Sequence, residues 1–290
     1  MYPVSFFALF PAFPRKETAF VAMSFKPQFQ SRRDQVIVPG ITEVGLEPLI
    51  VNASKVSDSI LTDILRGIGE SRLVLADVSC EDGSYRNGNV MYEVGIAHAT
   101  RLPEEVVLFR SDNERLPFDI TNVRVNDYDP DGNTGSAKTK LKEALRDAIR
   151  AIDTTRHLAV NGASEAIDLA GFTLLLDALQ KNGIVKYPRL ATVEEFLTST
   201  PKITALSRLL ELGLLTADYP PVSVDTFAAV ANQELRELLA YRITPFGCAV
   251  VNQIRERLGV PELLKHPRLA ADLDEPRANN PEDAPDTPLK

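Results

Sequence analysis

The chain has 290 residues, 44% apolar and 25% charged, which suits a folded protein of one or two domains and excludes a wholly disordered one. Its 32 Lys and Arg against 40 Asp and Glu give a net charge of −8, so it has no general pull toward nucleic acid or anionic membrane, and any basic patch must be local. Two distant cysteines, Cys80 and Cys248, and three scattered histidines argue against a disulfide framework or a metal-ligand cluster and imply a reducing, cytoplasmic setting.

The opening MYPVSFFALFPAFP is apolar, but Pro3, Pro11 and Pro14 interrupt it, no basic region precedes it, and it is too short to span a bilayer. Residues 1–16 are therefore expected to form an arm packed on the body or on another subunit, with no membrane partner. From Thr18 the pattern alternates. AFVAMSF reads as a buried strand, residues 30–44 as a helix ending at Gly45, and LEPLIV as a second strand. SDSILTDILRGIGES carries Ile60, Ile64, Leu65 and Ile68 at helical spacing, and RLVLADVS is a continuous apolar run suited to a central parallel strand. NVMYEVGIAHAT, EVVLFR and VRVNDYD follow as helix, strand and edge strand. SAKTKLKEALRDAIRAI closes the segment as an amphipathic helix with Leu141, Leu145, Ala148 and Ile149 inward.

This alternation predicts an α/β fold over residues 17–153, a flavodoxin-like parallel sheet flanked by helices and linked by right-handed crossovers. Residues 157–266 read as mainly helical. KITALSRLLELGLLTAD and, after an intervening helical stretch DTFAAVANQELRELLA, YRITPFG have the cadence of a winged-helix-like module. Residues 267–290, rich in proline and acids, read as a disordered acidic tail.

Ligands of open parallel sheets bind beyond the carboxyl ends of the strands, which brings Met23-Ser24-Phe25, Asp77-Val78-Ser79 and the start of the Asn87–Glu93 helix to one rim. With Asn89 as N-cap, Val90, Val94 and Ala97 form a core stripe and Glu93 stands on its flank. A fixed carboxylate there can stabilise or attack the cationic sugar carbon formed as an N-glycosidic bond breaks. Asp77 could hold a base or ribose hydroxyl, Asn89 could orient the sugar or Glu93, Ser24 and the backbone of Met23 and Phe25 would line the pocket, and Tyr92 or Phe25 could stack on a base.

In that order and spacing, AFVAMSF, SDSILTDI, LVLADVS, NGNVMYEVGIAHA and LPFDI resemble bacterial domains related to the nucleoside 2-deoxyribosyltransferases and the Toll/interleukin-1 receptor (TIR) superfamily, over residues 17–130. The match is strongest at NVMYEVGIAHA, where the transferases carry a similar Glu-Leu-Gly-Tyr-Ala element with the nucleophilic Glu. The resemblance implies that Glu93 is the catalytic carboxylate, Asp77 the base-side acid and Met23 to Phe25 the nucleotide-lining loop. It implies NAD or a related nucleotide or nucleoside as substrate, with no cofactor or metal, and a defence-type effector domain joined to a sensor or oligomerisation domain. SCEDGSYRNG after Asp77 departs from the transferases, leaving Glu81 or Asp82 as a second acid, and the chain has no Trp; hydrolysis is expected over base exchange.

Bland readings stand beside these. Asp77 can cap a turn, Tyr92 can be merely exposed, His98 lies over a turn from Glu93, and Cys80 has no recognisable His or Asn partner. Gly67 and Gly69 lie inside a helical pattern and make a poor phosphate loop, and Asp119 belongs to a loop before the last strand. The alternative is a non-catalytic nucleotide-sensing regulator whose helical domain binds DNA or protein, although Lys202 and Arg208 are sparse for DNA.

Overall fold

The computed structural model describes residues 15–51, 60–83, 85–116, 124–181, 183–186, 192–217 and 240–259. Residues 1–14 of the expected N-terminal arm, the loop carrying Asp119, residues 225–239 of the expected helix DTFAAVANQELRELLA and the acidic tail lie outside them, whereas Lys16 and Ala240 each belong to a strand. The chain divides into two compact units, Met1–Leu158 and Ala159–Lys290.

In the first unit β1 (Lys16–Ala22) leads into a helical segment α1 over residues 27–42, which contains a π-turn at Arg33–Ile37 and closes at Gly45 with φ +86°. Next come β2 (Glu47–Leu49), α2 (Ile60–Glu70), β3 (Ser71–Asp77), a small hairpin of β4 (Cys80–Asp82) and β5 (Tyr85–Arg86), and α3 (Gly88–Thr100). The unit continues with β6 (Val106–Arg110), β7 (Val125–Asp127) and α4 (Thr134–Ala166). The five main strands are parallel in the order β2-β1-β3-β6-β7, so the strand order reverses at β1, as in flavodoxin-like sheets.

Two buried faces explain why the central strands read as unbroken apolar runs. Ala19, Val21, Leu73, Leu75, Val107 and Phe109 pack against Val36, Ile37 and Ile41 of α1 and Leu141 and Leu145 of α4. Their alternates Phe20, Ala22, Val74, Ala76, Val106 and Leu108 pack against Leu65 and Ile68 of α2 and Val90, Val94 and Ala97 of α3.

Several boundaries differ from the sequence reading. The second strand is three residues rather than LEPLIV, because it pairs with β1 alone and Pro48 has no amide to donate. The closing helix does not stop at Ile152 but runs to Ala166, since nothing in 153–163 breaks it once the apolar stripe fades. The segment SEAIDLAGFTLLLDALQKNG, whose pattern reads as one helix from Ser164, is divided instead at Asp168, whose carboxylate accepts the Gly171 amide at 2.7 Å and caps α5 (Leu169–Gln180).

In the second unit α5 is followed by β8 (Ile184–Lys186), α6 (Val193–Glu211), β9 (Leu215–Ala217), β10 (Ala240–Ile243) and α7 (Pro245–Leu258). The strands form an antiparallel sheet in the order β8-β10-β9. Leu175, Leu209, Leu214, Val250 and Val251 are at the centre of its core. No helix among the described residues is long and apolar enough to cross a membrane.

Candidate functional site

The α3 helix begins two residues earlier than its sequence suggests. Asn87, not Asn89, is the N-cap: its Oδ1 accepts the amides of Asn89 at 2.9 Å and Val90 at 3.2 Å. Asn is favoured there because its short side chain reaches those amides. Asn89 therefore lies in the first turn, exposed, one helical turn before Glu93.

Val90, Val94 and Ala97 are buried, as the spacing requires, and Glu93 is half-buried on the flank that also carries buried Ile96. A helix returning from β3 to β6 runs antiparallel to the strands, so its first turns stand at their carboxyl ends. With right-handed crossovers, the flank holding Glu93 and Ile96 turns toward α2, which packs against α3, and toward the boundary between β1 and β3. That boundary is the switch point of the sheet, where such folds open a crevice.

Glu93 has no hydrogen-bond or ion-pair partner among the described residues. Burial, with nothing to offset it, pushes its carboxyl up to about 7. His98 also has a buried Nε2 without a partner, and burial pushes its imidazole down; it lies on the opposite flank of α3, away from Glu93.

The rim segments meet through a neighbouring acid. Glu81 of β4 accepts the Ser24 hydroxyl and the Asn87 Nδ2 at 2.7 Å, and its other oxygen pairs with Lys26 Nζ at 3.0 Å. Ser24 is buried, while Phe25 beside it is 47% exposed and Tyr92 on α3 is 56% exposed. Met23 points its side chain into the core shared with α1 and α4, so only its backbone faces the rim.

Asp77 departs from its expected part. Its Oδ2 accepts Arg32 Nη1 at 3.1 Å and the Tyr128 hydroxyl at 2.8 Å, and its Oδ1 accepts the Ser79 amide at 3.0 Å and the Ser79 hydroxyl. Four donors fill the acceptor sites of a carboxylate, and the side chain is fully buried, so Asp77 has no lone pair left for a base or a ribose hydroxyl. Arg32 in turn reaches Asp131 at 2.5 Å and Ser111 at 3.2 Å and stacks over Phe29. The network ties the ends of β3, β6 and β7 to α1. A second buried knot, Arg86 with Asp112 at 2.7 Å and the Val78 carbonyl, fastens the hairpin to the loop after β6.

Sequence reasoning missed Arg32, Tyr128, Arg86 and Asp112, whose partners are far away along the chain, and it left Glu81 without a place. The Asn87 cap had a legible signal in Asn-Gly ahead of an apolar stripe. Gly67 and Gly69 are packing residues: both are buried in α2, and a Cβ on Gly67 would stand 2.5 Å from the Phe20 ring.

No family model and no curated protein matches the chain. Among solved structures it is similar to a diflavin flavoprotein A3 from Nostoc sp., with 15% identity, a TM-score of 0.34, and coverage of 48% of this chain and 96% of that one. Similarity at this level assigns neither activity nor cofactor; the flavodoxin-like class rests on the strand order.

Proposed function

We propose that the first unit cleaves an N-glycosidic bond in NAD or a related nucleotide or nucleoside. The reading is carried by one observation: a half-buried carboxylate without a partner among the described residues, Glu93, on the flank of α3 that turns to the switch point of the sheet. In its ionised form Glu93 stabilises the sugar carbon as the base departs with the bonding electron pair, and water then supplies the hydroxyl that completes hydrolysis. Ser24 and Asn89 belong to segments at the same rim, and Phe25 and Tyr92 are exposed aromatic groups there that could flank a base. The sequence resemblance to deoxyribosyltransferase and TIR-type domains supports the same assignment. In this reading the second unit is winged-helix-like, with β9 and β10 between α6 and α7 in the chain and β8 ahead of α6, and it serves self-association or a partner in a defence-type effector.

The test is base release from NAD and from nucleosides by the full chain at high protein concentration. Glu93→Gln is expected to abolish release with the fold intact; release that survives the change removes Glu93 from the chemistry.

A further inference from the structure

We propose that Glu81 is a positioning residue, a buried strap that holds the β1 loop and the cap of α3 in register so that Glu93 is presented to the substrate; this rests on the glycosidic reading above. Its side chain is 3% exposed, and it joins three segments that are apart in sequence. Ser24 and Asn87 donate to one oxygen and Lys26 pairs with the other, while Gln28 Nε2 donates to the Glu81 backbone carbonyl at 3.0 Å. Burial alone would raise the Glu81 carboxyl, but the Ser24, Asn87 and Lys26 contacts outweigh it and hold it below the ordinary range, so the strap is an anion at neutral pH.

The contact to Asn87 matters most. An Asn amide has one accepting and one donating end, and here the donating end is fixed on Glu81, which leaves the accepting end aimed at the Asn89 and Val90 amides. Glu81 therefore sets the orientation of the cap, and the cap sets the start of the helix that carries Glu93 six residues on. The same carboxylate fixes Ser24 on the opposite lip. Removing it loosens both sides of the crevice together without touching substrate. A displacement of about 1 Å between reacting groups costs on the order of 100-fold in rate.

The experiment compares full-length Glu81→Ala and Glu81→Gln with wild type by amide exchange at Asn89 and Val90 and by kcat and KM for base release from NAD or the nucleoside that wild type cleaves. Glu81→Ala is expected to speed exchange at both amides by about tenfold or more and to lower kcat by about 10- to 100-fold with KM moved less than about threefold. Glu81→Gln keeps an oxygen for Ser24 and Asn87 and is expected to recover most of kcat. Unchanged exchange in Glu81→Ala overturns the strap, whatever the kinetics. Faster exchange with unchanged kcat overturns positioning and leaves a structural tie only. Absence of release from wild type with every substrate strikes the glycosidic reading itself and the kinetic half of the proposal with it, and the exchange data then judge the strap alone.

Discussion

Glu93 and Asp77 are both acids at the rim of one sheet, and their surroundings give them opposite parts. Asp77 has four donors, the buried Arg32 among them; Glu93 has burial and no partner among the described residues. Because the folded Glu93 titrates near 7, above the ordinary 4.5, the stability it brings is complete below pH 4.5 and lost as pH climbs through 7. Glu93→Gln is therefore expected to match wild type in chemical denaturation at pH 4.5 and to exceed it above pH 8 by about 1–3 kcal/mol. Base release should show the mirror image in wild type, with kcat/KM rising through about pH 7 as the carboxylate ionises. A flat profile between pH 5 and 9 would show that another group limits the reaction. Asp77→Ala removes the buried partner of Arg32, leaving it Asp131 and Ser111, and strands the Tyr128 hydroxyl, and is expected to cost about 3 kcal/mol in urea denaturation. Helical spacing is local, so the sequence puts Glu93 on the flank of the Val90, Val94 and Ala97 stripe, where the helix carries it. The sequence misplaces Asp77 because Arg32, 45 residues before it, and Tyr128, 51 after it, are invisible to local pattern.

Elements were legible where burial follows a period. The strands β1, β3 and β6 and the apolar stripes of α2 and α3 lie where alternation and helical spacing put them, since two covered faces impose continuous apolar runs. Boundaries were less legible, because caps and edges depend on single hydrogen bonds: Asn87 in place of Asn89, Asp168 in place of a continuous helix, Pro48 in a three-residue strand. The glycines of α2 make a test at this scale. A methyl on Gly67 meets the buried Phe20 ring, so Gly67→Ala is expected to lower stability by about 1–3 kcal/mol despite the better helix propensity of alanine. A thermal melt unchanged by the substitution would show that Phe20 has room to turn.

At the scale of the chain, two cores share no residue. One sheet has α1 and α4 on one face and α2 and α3 on the other; the second core gathers Leu175, Leu209, Leu214 and Val250 around an antiparallel sheet. The division at Leu158 falls inside α4, which is why the sequence, reading a fading stripe as an end, put the domain boundary several residues earlier. Gly247 opens α7 against the Leu214 carbonyl, with room for no Cβ, which would stand 2.3 Å from that oxygen. Gly247→Ala is expected to lower the second unit's unfolding midpoint while amide protection in β1, β3 and β6 holds, as exchange followed residue by residue would show. Loss of protection in both units together would mean that they unfold as one.

The parallel sheet ends on both sides in strands of three residues, β2 with Pro48 and β7 with Asp127 paired to Arg110. A growing fibril needs a long, flat row of free amides and carbonyls to copy, and neither border supplies one. Partly opened molecules that keep this sheet are thus poor seeds for strand-by-strand polymerisation, and crowded solutions of the protein should be spared that route to precipitation.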